Sequence, residues 1–257
     1  MKREINGDIY EFDEAEHQHK LNGNPLLGVT TALKTISPVS FDEDGNVSSK
    51  TEMLMSWAVK MDIQAFADRA IEYVGAKTAK EREEIIKQVK RTHRQARDKA
   101  GSHGNDVHGL LERILKGEKP EVPADIKTQI DFAINSLKGY KIISIEGHVW
   151  SRTNGYGGIF DLLLEKDGRF FVADFKTSKG VHNEFFSQCS AYDMAIQEMY
   201  PGKYPICGYI IIHIPASGKC SVITNEERGI MTDEAKDVFG AALTIYRLTC
   251  KWAQNMK

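Results

Sequence analysis

The spacing of apolar residues changes character near residue 140. Before that point the pattern predicts helices: a short one over Val29 to Ile36 begun by a threonine cap, then longer ones at about 50–74, 78–99, 104–116 and 123–138, several ended by glycine. Between the first two, Pro38 to Ser49 reads as a loop with a turn at Asp42 to Asn46. After residue 140 come short β-branched or aromatic runs at Lys141 to Trp150, Gly158 to Glu165 and Arg169 to Lys176, punctuated by Lys166-Asp-Gly168. A helix at about 183–199, strands near 205–214 and 219–224, and a last helix at about 231–255 complete the chain. The order predicts an α/β protein with a mixed central sheet flanked by helices, plus an N-terminal helical portion. With no repeat and no Pro/Gly/Ser linker, residues 1–257 read as one domain, mostly helical over 1–138 and sheet-containing over 139–257.

Composition narrows the class without naming an activity. A chain that is 41% hydrophobic and 27% charged is neither disordered nor fibrous. The longest apolar stretch, Ile206 to Ile214, contains Tyr209 and His213 and is too short to span a bilayer. The start, Met1-Lys-Arg-Glu, does not lead into the apolar segment of a signal peptide, so the chain reads as soluble and cytoplasmic. A net charge of 34 − 36 = −2 argues against coating nucleic acid over the whole surface. A local groove is still open: Lys77 to Lys99 carries nine Lys/Arg against four Asp/Glu, although such a run is usually a solvated helix face. Cys189, Cys207, Cys220 and Cys250 show no C-x-x-C spacing and read as small buried residues and free thiols.

Candidate chemistry starts at Arg169-Phe-Phe-Val-Ala-Asp-Phe-Lys-Thr177. In a strand, Asp174 and Lys176 share a side. The acid can hold a hard cation, and the ammonium can orient a water beside a phosphate. The chain has three acid-x-lysine triplets, about what chance gives, but only this one falls on a strand. Asp161, in Gly157-Gly-Ile-Phe-Asp-Leu-Leu-Leu164, is costly in so apolar a strand unless pairing or a metal offsets its lost hydration. A hairpin through Lys166-Asp-Gly168 would bring the two acids together, an arrangement that suits Mg²⁺ or Mn²⁺; a turn-capping aspartate is the plainer alternative. His108 and Glu112, one turn apart at the start of a predicted helix, share a face, though a lone helical histidine is more often a packing residue. Gln188 and Tyr192 are likewise four apart, as either an amphipathic face or a polar ledge beside the site. Glu146 is a weaker strand acid.

Taken in order, the His-x-x-x-Glu helix, Glu146, Gly-Gly-Ile-Phe-Asp161, twelve intervening residues, Asp174-Phe-Lys-Thr-Ser178 and Gln-x-x-x-Tyr192 resemble the PD-(D/E)XK nuclease superfamily. The resemblance is strongest to its exonuclease branch, similar to the nuclease domain of bacterial recombination-repair helicase–nucleases, phage exonucleases and the mitochondrial genome maintenance exonuclease. Gly28-Val-Thr-Thr-Ala-Leu33 resembles a segment near the start of that branch. It implies a restriction-endonuclease-like core and a metal-dependent DNA exonuclease, leaving 5′-phosphate and 3′-hydroxyl ends, in phage or mobile-element recombination or repair. By the same resemblance, His108, Asp161, Asp174 and the carbonyl of Phe175 would ligate Mg²⁺ or Mn²⁺. Lys176 would position or activate the attacking water, and Thr177, Gln188 and Tyr192 would contact substrate. Glu146 matches an acidic position whose role varies. The metal would polarise the phosphate and stabilise the leaving 3′ oxygen, and the basic stretch at 77–99 would track the strand.

Two departures stand out. Gly101-Ser-His-Gly-Asn-Asp-Val-His108 is more polar than the small-residue run usual before the family histidine, so the local helix cap is expected to differ. The cysteine gaps do not fit the iron–sulfur cluster of some relatives, and no cluster is expected. The expected partner is linear or single-stranded DNA, with a recombination or single-strand-binding protein alongside it and no membrane; oligomers occur among related exonucleases. Alternatives are a DNA-binding recombination module with a vestigial site, disfavoured because Asp161, Asp174 and Lys176 are all present, and a structure-specific endonuclease on the same core.

Overall fold

A computed structural model describes residues 1–36, 39–41 and 47–255. The chain forms two compact units, one of Met1–Ile36 with Val107–Lys257 and one of Ser37–Asp106.

The larger unit begins with strands where the apolar pattern predicted a helical portion. β1 (Lys2–Ile5), β2 (Asp8–Asp13), β3 (Gln18–Leu21) and β4 (Asn24–Pro25) make an antiparallel sheet in sequence order. The turns are Asn6-Gly7 and Asn22-Gly23, with φ of 53° and 79° and of 51° and 80°. Asn-Gly is the strongest short-range hairpin signal because both residues tolerate the left-handed conformation a tight hairpin turn needs. β5 (Leu27–Gly28) leads into α1 (Val29–Leu33). The expected threonine cap is absent: Gly28 occupies the cap position without a side-chain bond, and Thr30 and Thr31 lie inside the helix.

The smaller unit opens with a hairpin of β6 (Val39–Phe41) and β7 (Val47–Ser49), so the segment expected to be all loop carries short strands. The turn expected at Asp42 to Asn46 lies outside the described residues. α2 (Lys50–Asp68), α3 (Ala70–Gly75) and α4 (Ala79–Val89) follow, and capping boxes start two of them, Ser49 with Glu52 and Thr78 with Glu81. α5 (Thr92–Leu115) belongs to this unit up to Asp106 and to the larger one from Val107. Sequence spacing put a break near Gly101; the break falls instead at Lys90–Arg91, and the helix runs on through Gly101 and Gly104. Each glycine costs a helix interior about 1 kcal/mol against alanine, which burial of Val107 and Leu111 outweighs at about 1.5–3 kcal/mol each.

The larger unit resumes with α6 (Lys127–Ser136), β8 (Lys141–Ser151), β9 (Tyr156–Lys166), β10 (Arg169–Lys176), α7 (Glu184–Met199), β11 (Ile206–His213), β12 (Ser221–Thr224) and α8 (Thr232–Asn255). It is α/β with a mixed sheet: β8, β9 and β10 are antiparallel neighbours, β11 runs parallel to β10 after the α7 crossover, and β12 closes the edge antiparallel to β11. Alternation of side chains gives the sheet two apolar faces. Val172, Leu163 and Ile211 join α1, α7 and α8 in one cluster. Ala173, Phe175, Leu162, Leu164, Ile210 and Ile212 join α5 and α6 in the other. Of the four cysteines only Cys189 is buried; Cys207 and Cys250 are exposed, against the expectation of buried thiols. Among the described residues no helix is long and apolar enough to cross a membrane.

Candidate active site

The site grows out of a fork in the sheet. β10 pairs with β9 from Arg169↔Lys166 to Ala173↔Leu162, and there the ladder stops. One step further, Asp174 and Asp161 would face each other. Beyond that point the start of β9 pairs instead with β5, Tyr156 with Leu27 and Gly157 with Gly28, while β10 continues along β11 as far as Lys176↔His213. A backbone donor that leaves a ladder inside a core needs a new acceptor. The Phe175 N–H finds one in Asp161 Oδ2 at 2.7 Å. Asp161 and Asp174 are therefore both buried, at 9% and 2% exposure, where two strands separate.

On the α7 side of β10, Asp174 and Lys176 share a face as their spacing requires. The Lys176 ammonium pairs with Asp174 Oδ2 and donates to Gln188 Oε1 at 3.1 Å. Gln188 Nε2 donates to the Tyr192 hydroxyl at 2.8 Å and lies 3.4 Å from Asp174 Oδ1. Lys176 also lies 5.0 Å from the centre of the Phe185 ring. Burial alone would depress the lysine, but Asp174 and Asp161 outweigh it, so Lys176 stays protonated above its ordinary range. Burial pushes Asp174 up to about 6, against the pull of Lys176. Asp174 Oδ2 accepts the Lys176 ammonium as its one close partner.

A second group meets Asp161 from α5 and β8. His108 Nδ1 lies 3.4 Å from Asp161 Oδ2, with its ring edge-on to Phe175. Glu146 lies between the pairs Ile145↔Leu162 and Gly147↔Phe160, which sets it opposite Asp161 just past a register shift in β8. Its backbone is left-handed, φ 49°, a conformation that costs a residue with a Cβ about 1–2 kcal/mol. Next to it, a Cβ on Gly147 would stand 1.9 Å from the Phe160 ring, so only glycine fits. Ligand atoms of His108, Glu146 and Asp161 all lie within 4.8 Å of one another.

Their electrostatics bear on what the group could hold. Burial, with Asp161 and Glu112 nearby, raises Glu146 to about 8. His108 is raised to about 9, because Asp161 outweighs the opposing effect of burial. Asp161 is lowered, burial being overcome by the His108 cation. A buried acid, a half-buried acid and an imidazole thus meet with a proton on Glu146 and on His108 near neutrality. One imidazole nitrogen and two carboxylates are a donor set that a divalent cation fits, and its charge would replace both protons.

Of the residues singled out in the sequence, His108, Glu146, Asp161, Asp174, Phe175, Lys176, Gln188 and Tyr192 meet at the fork. Their arrangement differs in detail from the expected ligand set. Asp174 is engaged by Lys176, and Glu146 is the carboxylate beside His108 and Asp161. Phe175 contributes its N–H. Thr177 follows the end of β10, half-buried. His108 lies deep within α5, so the polar run before it is helix interior and no cap. Glu112 pairs with Lys116. Phe185 escaped sequence reading, although Phe185, Gln188 and Tyr192 follow the i, i+3, i+7 spacing of one helix face.

No family model and no curated protein matches this chain. Among solved structures it is similar to an alkaline exonuclease from Laribacter hongkongensis, with 15% sequence identity, a TM-score of 0.27, and coverage of 74% of this chain and 98% of that one. At that identity and TM-score the likeness decides neither fold nor activity.

Proposed function

We propose that the protein is a divalent-metal-dependent DNA exonuclease with a restriction-endonuclease-like core over its β8–β11 segment, hydrolysing phosphodiester bonds to 5′-phosphate and 3′-hydroxyl ends. The observation that carries this reading is the convergence at one sheet fork of two strand carboxylates, Asp161 and Asp174, with the Lys176 ammonium and a His108–Glu146–Asp161 group within 4.8 Å. His108, Glu146 and Asp161 would hold Mg²⁺ or Mn²⁺, with Asp174 at their edge. A divalent ion there supplies Lewis-acid stabilisation of the charge that develops on the phosphate oxygens.

The chain's own groups do the rest. Lys176 stays cationic and is fixed between Asp174, Gln188 and the Phe185 ring, so its Nζ can orient an attacking water or a phosphate oxygen without first losing hydration. The Tyr192 hydroxyl and the Gln188 amide hold that ammonium in place. Asp174, raised to about 6, is ionised at neutral pH and anchors the Lys176 ammonium through its Oδ2. The resemblance carried by the motif order further implies a role in phage or mobile-element recombination or repair.

The test uses 5′- and 3′-labelled linear DNA beside a closed circle, with Mg²⁺, Mn²⁺ or EDTA, and Lys176→Ala in parallel. End-dependent shortening that needs metal and Lys176, with the circle intact, is the expected result. A cut circle would make the protein an endonuclease. DNA retained on a filter with no cleavage in any metal would make it a binding module, and the exonuclease reading would fall.

A further inference from the structure

The smaller unit holds a concavity of about 370 Å³ lined by Glu83, Ile86, Lys87, Lys90, Arg91 and Arg94. Lys87 belongs to the last turn of α4, Lys90 and Arg91 to the link, and Arg94 to the first turn of α5. Four cations from two helices and their junction therefore face one hollow, with a single carboxylate among them.

An ordinary solvated helix face looks different. Its cations commonly meet acids, often three or four residues away, and other cationic side chains of this unit do meet acids: Arg69 with Glu72 at i,i+3, Arg97 with the adjacent Asp98, and His93 with Asp62 of α2. Among the described residues none of Lys87, Lys90, Arg91 and Arg94 is within ion-pair distance of a carboxylate. The apolar face of α4 is already used, since Ile85 and Val89 are buried. What the hollow offers is concentrated, uncompensated positive charge in a concave surface, with two planar guanidiniums for paired phosphate oxygens and two ammoniums as point charges.

We infer that this hollow binds the sugar–phosphate backbone of a nucleic-acid strand, and that it is where the protein grips its polymer substrate. The choice of a nucleic acid among polyanions rests on the nuclease reading above; the grip itself is read from charge and shape. Four phosphate contacts give a defined signature. Log affinity falls with log salt by about 0.9 per contact on duplex and about 0.7 on single strands, a slope of roughly 3.6 or 2.8, and roughly 10²-fold weaker duplex binding from 50 to 200 mM salt. Glu83 works against it at the rim, so its neutral variant should bind more tightly.

Binding is measured in EDTA, so that no strand is cut, by anisotropy of labelled single-stranded and duplex DNA across that salt range. The wild type is compared with K87A/K90A/R91A/R94A, with the charge-preserving K87R/K90R/R91K/R94K, and with Glu83→Gln. The alanine variant should lose about three units of slope and bind at least tens of fold more weakly at 50 mM salt. The charge-preserving variant should keep the slope, and E83Q should gain a few-fold. Hydrolysis of a small aryl phosphodiester, which has no strand for the hollow to grip, should be unchanged by the alanine set. Equal DNA binding and slope in wild type and the alanine variant overturn the grip, whether or not the wild type cuts DNA. So does binding to anionic phospholipid vesicles in place of DNA, or loss of binding in the charge-preserving variant. If DNA binding depends on the four cations but wild type cleaves nothing in Mg²⁺ or Mn²⁺, the hollow stands and the nuclease reading falls.

Discussion

Two buried aspartate–lysine pairs lie on the α7 face of the same sheet, and they are built in opposite ways. Asp193 is 1% exposed and its carboxylate is fully used: Gln197 Nε2 donates to Oδ1 at 3.1 Å, while the Tyr209 hydroxyl and Lys236 Nζ reach Oδ2 at 2.9 and 3.0 Å. Asp174 is equally buried, but apart from the Lys176 ammonium on Oδ2 its nearest partner is Gln188 Nε2 at 3.4 Å from Oδ1, and with a second buried acid, Asp161, beside it, it is raised to about 6. Near it, Glu146 holds a left-handed backbone and a proton that an ordinary glutamate would have lost. The first pair is closed and ties α7 and α8 to the sheet. The second sits beside a further buried acid, Asp161, and near the left-handed Glu146, the strain and like charge that the site proposed above would use. Burial alone therefore does not separate the two pairs; the company of other acids does.

The sharpest way to break that contrast is to exchange the phenotypes. Lys176→Ala should lower metal-dependent cleavage by about 10²–10³-fold while the melting temperature moves little in the presence of metal. Asp193→Asn should do the reverse. Removing one partner of a buried pair costs about 3–5 kcal/mol, and because Lys236 is 30% exposed and can turn to water, about 2–4 kcal/mol is expected by urea denaturation. Activity per folded molecule should be unchanged. A stable Asp193→Asn protein with lost cleavage would mean that both pairs are functional.

The strands and helices around both pairs were legible in the sequence. Arg169 to Lys176 was placed to the residue, and the strands and helices from residue 141 onward to within about two residues, because β-branched runs end at clear turn signals there. The N-terminal hairpins were missed despite Asn6-Gly7 and Asn22-Gly23, since β1 to β4 are short and carry many charged residues that hide the alternation. Within residues 78–116 the glycines predict a break near Gly101, whereas burial of Val107 and Leu111 carries α5 through them and the break falls at Lys90–Arg91. At the site, residue types and spacing brought the right acids forward, but who pairs with whom was not legible. Whether Asp174 meets a ligand group or Lys176 depends on where β9 and β10 part, and Glu146 enters only through a register shift that no local pattern records.

Glu146 gives the next test, through pH. Its folded value near 8 lies above its ordinary 4.5, and that of His108 near 9 lies above 6.5. The folded state thus binds more protons than the unfolded one over this window, and stability falls as pH rises. In the metal-free protein the contribution of Glu146 is fully present below about pH 4.5 and lost through about 8. That of His108 is present below 6.5 and lost through about 9. Melting temperature without metal should therefore decline from pH 5 to 9, and Mg²⁺ or Mn²⁺ should restore more of it at pH 9 than at pH 6, since binding displaces both protons. Glu146→Gly removes the acid and relaxes the left-handed backbone, so it should stabilise the metal-free protein by about 1–2 kcal/mol and erase most of the metal response. A flat pH profile in the wild type, or an unchanged metal response in the variant, would show that the acid is a closed structural group like Asp193.

The smallest effect probes how the Asp174–Lys176 pair is held. A Cβ on Gly158 would stand 2.6 Å from Tyr192 Cε1 and 3.0 Å from Val29 Cγ2, and Tyr192 is only 2% exposed, so its ring has no room to yield without moving its hydroxyl. That hydroxyl takes the Gln188 amide, and Gln188 takes the Lys176 ammonium. Gly158→Ala should then cost about 1–3 kcal/mol of stability through overpacking and lower cleavage several-fold by loosening Lys176. Tyr192→Phe keeps the ring and removes only the oxygen. If the hydroxyl holds Gln188 in place, Tyr192→Phe should lose the same several-fold in kcat with little loss of stability. If Gly158→Ala is impaired and Tyr192→Phe is not, ring packing positions the lysine and the hydrogen-bond chain is incidental.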